Sequence, residues 1–313
     1  VITAYLDAAA VGNVRLAISP AIEAISWLRL TVAGRTHPIY GDPGAAARFA
    51  LRDPDVRMIA GTMPRGLVGY MPDLLSPSPA FGDPDRAWLD QVERMAATSP
   101  EDAEWQVAAT DNPSAEAMAA VDDGTFARRA ADAMTRFWSV AMADSWSGLR
   151  DRLQADLVER ARVMATEGVG TLLSSLHTNV RWTGAAVEIT KPYSHPITLN
   201  GLVLSPAALS WPTLLVQMED PDDAVISYPA NGLGIPENPD RDAVARLMGP
   251  TRANLLRDLD TPRSTTDLSR RHGLAAATVS YHLSVLHDSG LVTKSRHKRT
   301  VLYQRNDHHE VLR

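Results

Sequence analysis

Ser264-Thr-Thr-Asp-Leu-Ser-Arg-Arg-His-Gly-Leu-Ala-Ala-Ala-Thr-Val-Ser-Tyr-His-Leu-Ser-Val-Leu-His-Asp-Ser-Gly290 is the stretch that decides the fold of the carboxyl-terminal region. Ser264 with Asp267 three positions on is close to a capping box, so a helix is expected through Leu268 to His272. Gly273 can take the left-handed conformation that closes a helix, and the chain restarts almost at once at Ala275. The next helix, Ala275 to Asp288, has Val279, Leu283 and Leu286 at spacings of four and three, so they share its inward face. Its outward face then carries Ala276, Ala277, Ser280, Tyr281 and Ser284 before Gly290 ends it. Helix, tight glycine turn and second helix in this order predict a helix-turn-helix.

The flanking residues extend the pattern. Upstream, Ala243 to Met248 and Thr251 to Leu259 read as two helices, stopped at Gly249-Pro250 and Thr261-Pro262, with Leu255, Leu256 and Leu259 facing inward. Downstream, Leu291 to Arg296 and Thr300 to Arg305 alternate as strands joined by His297-Lys298-Arg299, a hairpin with a basic tip. The charge divides at the same place. Residues 241–313 hold 13 Lys+Arg against 7 Asp+Glu, whereas the whole chain is net -6, so the residues before Arg241 carry net -12. A basic module on an acidic body is the balance expected of a domain that meets nucleic acid phosphates. The expected partner is double-stranded DNA, with Thr278, Ser280, Tyr281 and Ser284 toward bases and Arg271, Lys294, Arg296, Lys298 and Arg299 toward phosphates.

Before this domain, the fold class reads as α+β: a helix-rich region with a small antiparallel sheet. Asn13 to Ser19 reads as a strand, and Ile22, Ile25, Leu28 and Val32 mark the buried stripe of a following helix. The eight prolines between residues 37 and 85 leave room only for short helices. Helical stretches follow at Pro84 to Ala97 and Asp122 to Leu176, broken near Gly148 and Gly168. Val180–Thr183, Ala186–Thr190, Ile197–Leu204, Thr213–Met218 and Ala224–Tyr228 then read as short strands. The turn-rich run from Pro229 to Asp240 reads as a linker, dividing the chain into residues 1–235, a sensor and dimerisation domain, and 241–313, the DNA-binding domain.

All seven tryptophans, Trp27, Trp88, Trp105, Trp138, Trp146, Trp182 and Trp211, precede the linker. They either fill a core or line a pocket for an apolar small-molecule effector. There is no cysteine, which removes disulfides and thiolate metal sites. No cofactor, metal site or catalytic residue is expected: no Gly-x-Ser-x-Gly elbow, phosphate loop, Gly-x-Gly-x-x-Gly or His-Glu-x-x-His occurs. The acidic and histidine residues of the tail, Asp307-His-His-Glu310, are adjacent rather than spaced for a metal. No apolar run approaches the length of a membrane helix, and a cytoplasmic, non-enzymatic protein is the expectation.

Thr278-Val-Ser-Tyr-His-Leu283, Leu286 and Gly290-Leu-Val292 resemble the recognition helix and wing entry of ArsR-type bacterial repressors, over about residues 245 to 305. The resemblance implies a homodimer on a pseudo-palindromic operator, with repression as the default. Two departures matter. Where relatives often carry Ser-Gln-Pro at the start of the recognition helix and Arg after the Ser, this chain has Ala275-Ala-Ala277 and Tyr281, so direct base readout is expected to be weak and dimer spacing and DNA shape to matter more. The paired cysteines of the metal-sensing relatives are replaced in Thr265-Thr-Asp-Leu-Ser-Arg270. Val14-Arg-Leu-Ala-Ile-Ser-Pro20 and Gly201-Leu-Val-Leu-Ser-Pro206 with Trp211-Pro212 look like an uncharacterised amino-terminal domain that accompanies such winged helices, which implies architecture and no ligand.

Overall fold

Ile2, Ala4 and Leu6 are buried and Tyr5 is exposed, the period-two pattern of a strand with one covered face. This strand, β1 (Ile2–Leu6), opens the computed structural model, which describes residues 1–64, 69–80, 86–233, 241–297 and 300–306. The chain divides into two compact units, Val1–Gly234 and Ile235–Arg313.

The first unit is mixed helix and sheet, with two four-stranded sheets. In one, β3 (Val180–Trp182), β4 (Ala186–Ile189), β1 and β5 (His195–Leu199) lie in that order, β1 antiparallel to β4 and parallel to β5. In the other, β2 (Val14–Leu16), β6 (Leu202–Ala207) and β8 (Val225–Pro229) run parallel, and β7 (Leu215–Gln217) closes the edge antiparallel to β8. The α+β class therefore holds, but the expected single antiparallel sheet is corrected to two mixed sheets. The reason is a break inside the run that reads as one strand, Ile197 to Leu204. At Asn200-Gly201 the chain leaves one sheet for the other, where each new segment pairs in parallel with an amino-terminal strand nearly 200 residues away. β6 is buried at every position and β8 at all but its last, as expected of parallel strands covered on both faces.

Helices build the rest. After the short α1 (Ala8–Gly12) comes α2 (Pro20–Val32), which starts where Ser19 Oγ accepts the Ile22 N–H at 3.2 Å with Pro20 at the first turn. That is a favoured helix start. Eleven of its 13 residues are buried, including Glu23 and Arg29, so it is a central rod and not the one-striped surface helix its spacing predicts. Around it pack α3 (Gly44–Ala50), α4 (Pro54–Ala60), α5 (Ala87–Ala97), α6 (Pro100–Ala108), α7 (Ala115–Asp122), α8 (Phe126–Ala141) and the start of α9 (Trp146–Glu167) in one apolar core. The long helical run breaks at Met142–Ser145, not at Gly148, which lies inside α9. It breaks again at Gly168, whose φ of 87° ends α9 before α10 (Val169–Ser175). A second core joins α10 and the end of α9 to the strands. No helix among the described residues is long and apolar enough to cross a membrane.

Candidate nucleic-acid interface

The second unit begins with α11 (Arg241–Met248), α12 (Pro250–Arg257) and a short 3-10 turn at Asp258–Asp260. β9 (Arg263–Ser264) leads into α13 (Thr265–His272), where Ser264 Oγ accepts the Asp267 N–H at 3.1 Å. Gly273 follows with φ 63° and ψ 27°, a left-handed conformation that costs a side-chain-bearing residue free energy. Ser269 pins the turn from both sides: its hydroxyl donates to the Leu274 carbonyl at 2.6 Å and its carbonyl accepts the Leu274 N–H at 3.1 Å.

The next helix, α14 (Ala276–Asp288), is oriented by its buried face. Val279, Leu283 and Leu286 join Leu255, Leu259, Leu268 and Val292 in a core of their own. With these on one side, Thr278, Ser280, Tyr281 and Ser284 are all exposed together. Tyr281 is the most prominent, 65% exposed, with its ring edge-on to His282 at 5.4 Å. Ala275 caps the helix without any side-chain bond, so the exposed helix start carries three small methyl groups, Ala275 to Ala277.

Beyond Gly290, β10 (Val292–His297) and β11 (Thr300–Arg305) form the hairpin, and β9 pairs with β11 so that the hairpin is tied to the start of α13. Lys294 and Arg296, two residues apart, project from one face of β10 and are exposed. Lys298 and Arg299, expected at the hairpin tip, lie outside the described residues, as does the tail Asp307–Glu310.

Arg271 differs from the other expected phosphate ligands. It is exposed, but its guanidinium is already engaged by Asp258, Nε to Oδ2 at 2.7 Å and Nη2 to Oδ1 at 3.1 Å. His272 Nε2 shares Oδ2 at 3.0 Å. The Arg271 bonds hold the Asp258 carboxyl below the usual carboxylate range, with His272 adding to the effect, and Asp258 in turn strengthens the charged form of Arg271. Arg270, one position earlier, is exposed and forms no ion pair among the described residues. Sequence reading passed over it because the helix register alone does not show which of two adjacent arginines meets an acid from another element.

Residues 247–295 match the family model described as a helix-turn-helix domain. This domain holds the recognition helix α14 and most of β10, while β11 continues past the matched residues. No curated protein matches the chain, and no solved structure matches it.

The tryptophans of the first unit do not converge on one cavity. Trp27 is buried in the helical core. Trp88 stacks on Trp138 at 4.3 Å, and Trp146 meets Trp138 edge-on at 5.0 Å, so these three fill space between α5, α8 and α9. Trp105 is exposed beside Tyr70. Trp182 and Trp211 line two neighbouring depressions that share Ser174 and Ser175. The two readings of the tryptophans, core or pocket wall, thus divide by residue: Trp27 is in the core, Trp88, Trp138 and Trp146 pack partly buried against it, Trp105 is exposed, and Trp182 and Trp211 line depressions; equal residue type hid their different depths.

Proposed function

We propose that the protein is a DNA-binding transcriptional regulator of ArsR-like type, a repressor that acts as a homodimer in the bacterial cytoplasm and carries no catalytic activity. The observation behind this reading is the shared exposure of Thr278, Ser280, Tyr281 and Ser284 on α14, together with the exposed cations Lys294 and Arg296 on the hairpin that follows it. In this reading α14 enters the major groove of duplex DNA and the hairpin follows the phosphates. Lys298 and Arg299 add their charge there, and the affinity is strongly salt-dependent. The small Ala275–Ala277 edge offers methyl contacts only, so half-site spacing and DNA shape carry much of the specificity. The first unit serves as a sensor whose small-molecule ligand alters DNA affinity.

Fluorescence anisotropy with duplexes from the DNA upstream of the protein's own coding sequence tests this. Binding that saturates, prefers one duplex over a shuffled one by ~10³-fold or more and weakens steeply with salt is expected. Equal affinity for all duplexes, or no binding at low salt, overturns it.

A further inference from the structure

Parallel strands β6 and β8 end side by side, with Ala207 paired to Pro229. Beyond their carboxyl ends a pocket of about 400 Å³ opens between α9, α10 and the two following loops, within the size range of small-molecule sites. Ligands in sheets of parallel strands favour this end, where the connecting loops diverge.

The lining has one cation and no carboxylate. Arg160, projecting from α9, faces the pocket with its side chain only 8% exposed. Nη1 donates to the Ser175 hydroxyl at 2.9 Å, and the guanidinium lies 5.2 Å from the centre of the Tyr228 ring. Nε is buried with no hydrogen-bond partner: Asp156, one turn earlier on the helix, forms an ion pair with it at 3.8 Å, beyond hydrogen-bond reach, and Asp156 Oδ2 is likewise buried without a hydrogen-bond partner. The Asp156 carboxylate is turned to the Asn231 backbone N–H at 2.9 Å. His177 adds a second donor: its Nδ1 accepts the Asn179 N–H at 3.1 Å, so the neutral ring carries its proton on Nε2. Trp211 and Pro229 supply apolar wall. A buried, incompletely bonded guanidinium with a neighbouring imidazole N–H donor and a flat aromatic side fits an anion attached to a planar body.

We propose that this pocket binds a small planar carboxylate, its carboxylate held by Arg160 with His177 and its apolar body laid against Trp211. The assignment deepens the sensor reading of the first unit. It is tested without DNA, so failure here leaves DNA binding standing, and failure of DNA binding leaves this site standing.

The test is isothermal titration of the full chain with benzoate and 2-naphthoate, each against its neutral amide. One-to-one saturable binding of at least one acid is expected, with its amide at least tenfold weaker. Trp211→Ala should weaken 2-naphthoate more than benzoate, and Arg160→Lys, which keeps the charge but loses the fork, should weaken both tenfold or more. If Arg160→Lys melts well below wild type, the acid-to-amide ratio on the wild-type chain and the Trp211→Ala result decide. No saturation by either acid, equal binding of acid and amide, or wild-type affinity in a normally folded Trp211→Ala variant overturns the proposal.

Discussion

Asp258 and Arg271 form a two-point ion pair that ties the turn after α12 to the end of α13, on Nε–Oδ2 and Nη2–Oδ1 distances of 2.7 and 3.1 Å. An arginine held this way is not free to meet a phosphate unless the pair opens. Asp258→Asn should release it and remove one negative charge, tightening non-specific duplex binding about two- to fivefold at low salt, by the reach of screened charge. Arg271→Ala should change affinity less than Lys294→Ala. Anisotropy titrations of the three variants at several salt concentrations check this, and an Arg271→Ala loss exceeding that of Lys294→Ala would mean that the pair opens on DNA.

Lys294 and Arg296 face one side of β10 and should act as phosphate contacts. The Lys294→Ala/Arg296→Ala double variant is expected to lower affinity for all duplexes nearly alike and to reduce the slope of log K against log salt by about 2. Tyr281→Ala should do the opposite, flattening discrimination between duplexes with little change in slope. A sequence-selective loss from the hairpin variant would move it to the reading surface.

Gly273 is a clean test of the turn. A Cβ placed there meets nothing within 4 Å, yet φ is +63°, in the left-handed range. The cost of Gly273→Ala is therefore conformational, about 1–2 kcal/mol, and Gly273→Asn should cost less because asparagine tolerates that region better. Denaturant melts of the two variants measure the difference. Equal stability of glycine and alanine would show that the turn is not left-handed in solution.

Glu23 is fully buried in α2 and accepts the N–H groups of Ala208 and Leu209 at 2.7 Å each. Burial raises its pKa from 4.5 to about 7, and the two backbone bonds only partly oppose this. Between these values the folded chain holds a proton that the unfolded chain has lost, so stability falls as pH rises from about 4.5 to about 7 and levels off above. The loss is on the order of 3 kcal/mol. Glu23→Gln removes this dependence but leaves one of the two N–H groups facing an amide nitrogen. Wild-type stability relative to Glu23→Gln should therefore decline across that window in denaturant melts, and a flat or rising difference would count against a protonated Glu23.

The second unit was nearly all legible in the sequence because its signals are local. Ser264, Gly273 and Gly290 mark helix ends through bonds and backbone angles a few residues away, and Val279, Leu283 and Leu286 select one face through helix periodicity alone. The same residues therefore also assign Thr278, Ser280, Tyr281 and Ser284 to the surface. Arg271 shows where that reasoning stops: its ion pair depends on Asp258, 13 residues earlier on another element.

In the first unit, spacing located α2 but did not reveal that it is buried on nearly every side, nor that Glu23 within it would meet the backbone of Ala208 and Leu209. The break at Asn200-Gly201 was in plain view, but its meaning lay in which distant strands β5 and β6 join. The pocket at Arg160 was not legible at all, since Arg160, His177, Trp211 and Asn231 come from four separate segments. From the sequence alone came the two-part organisation, the helix-turn-helix with its hairpin and the exposed face of its second helix, all set by capping, turn conformation and periodicity over short distances. Tertiary structure alone decided sheet topology, the depth of each tryptophan and the partners of buried charges, because long-range strand pairing and burial depend on contacts between residues far apart in the chain.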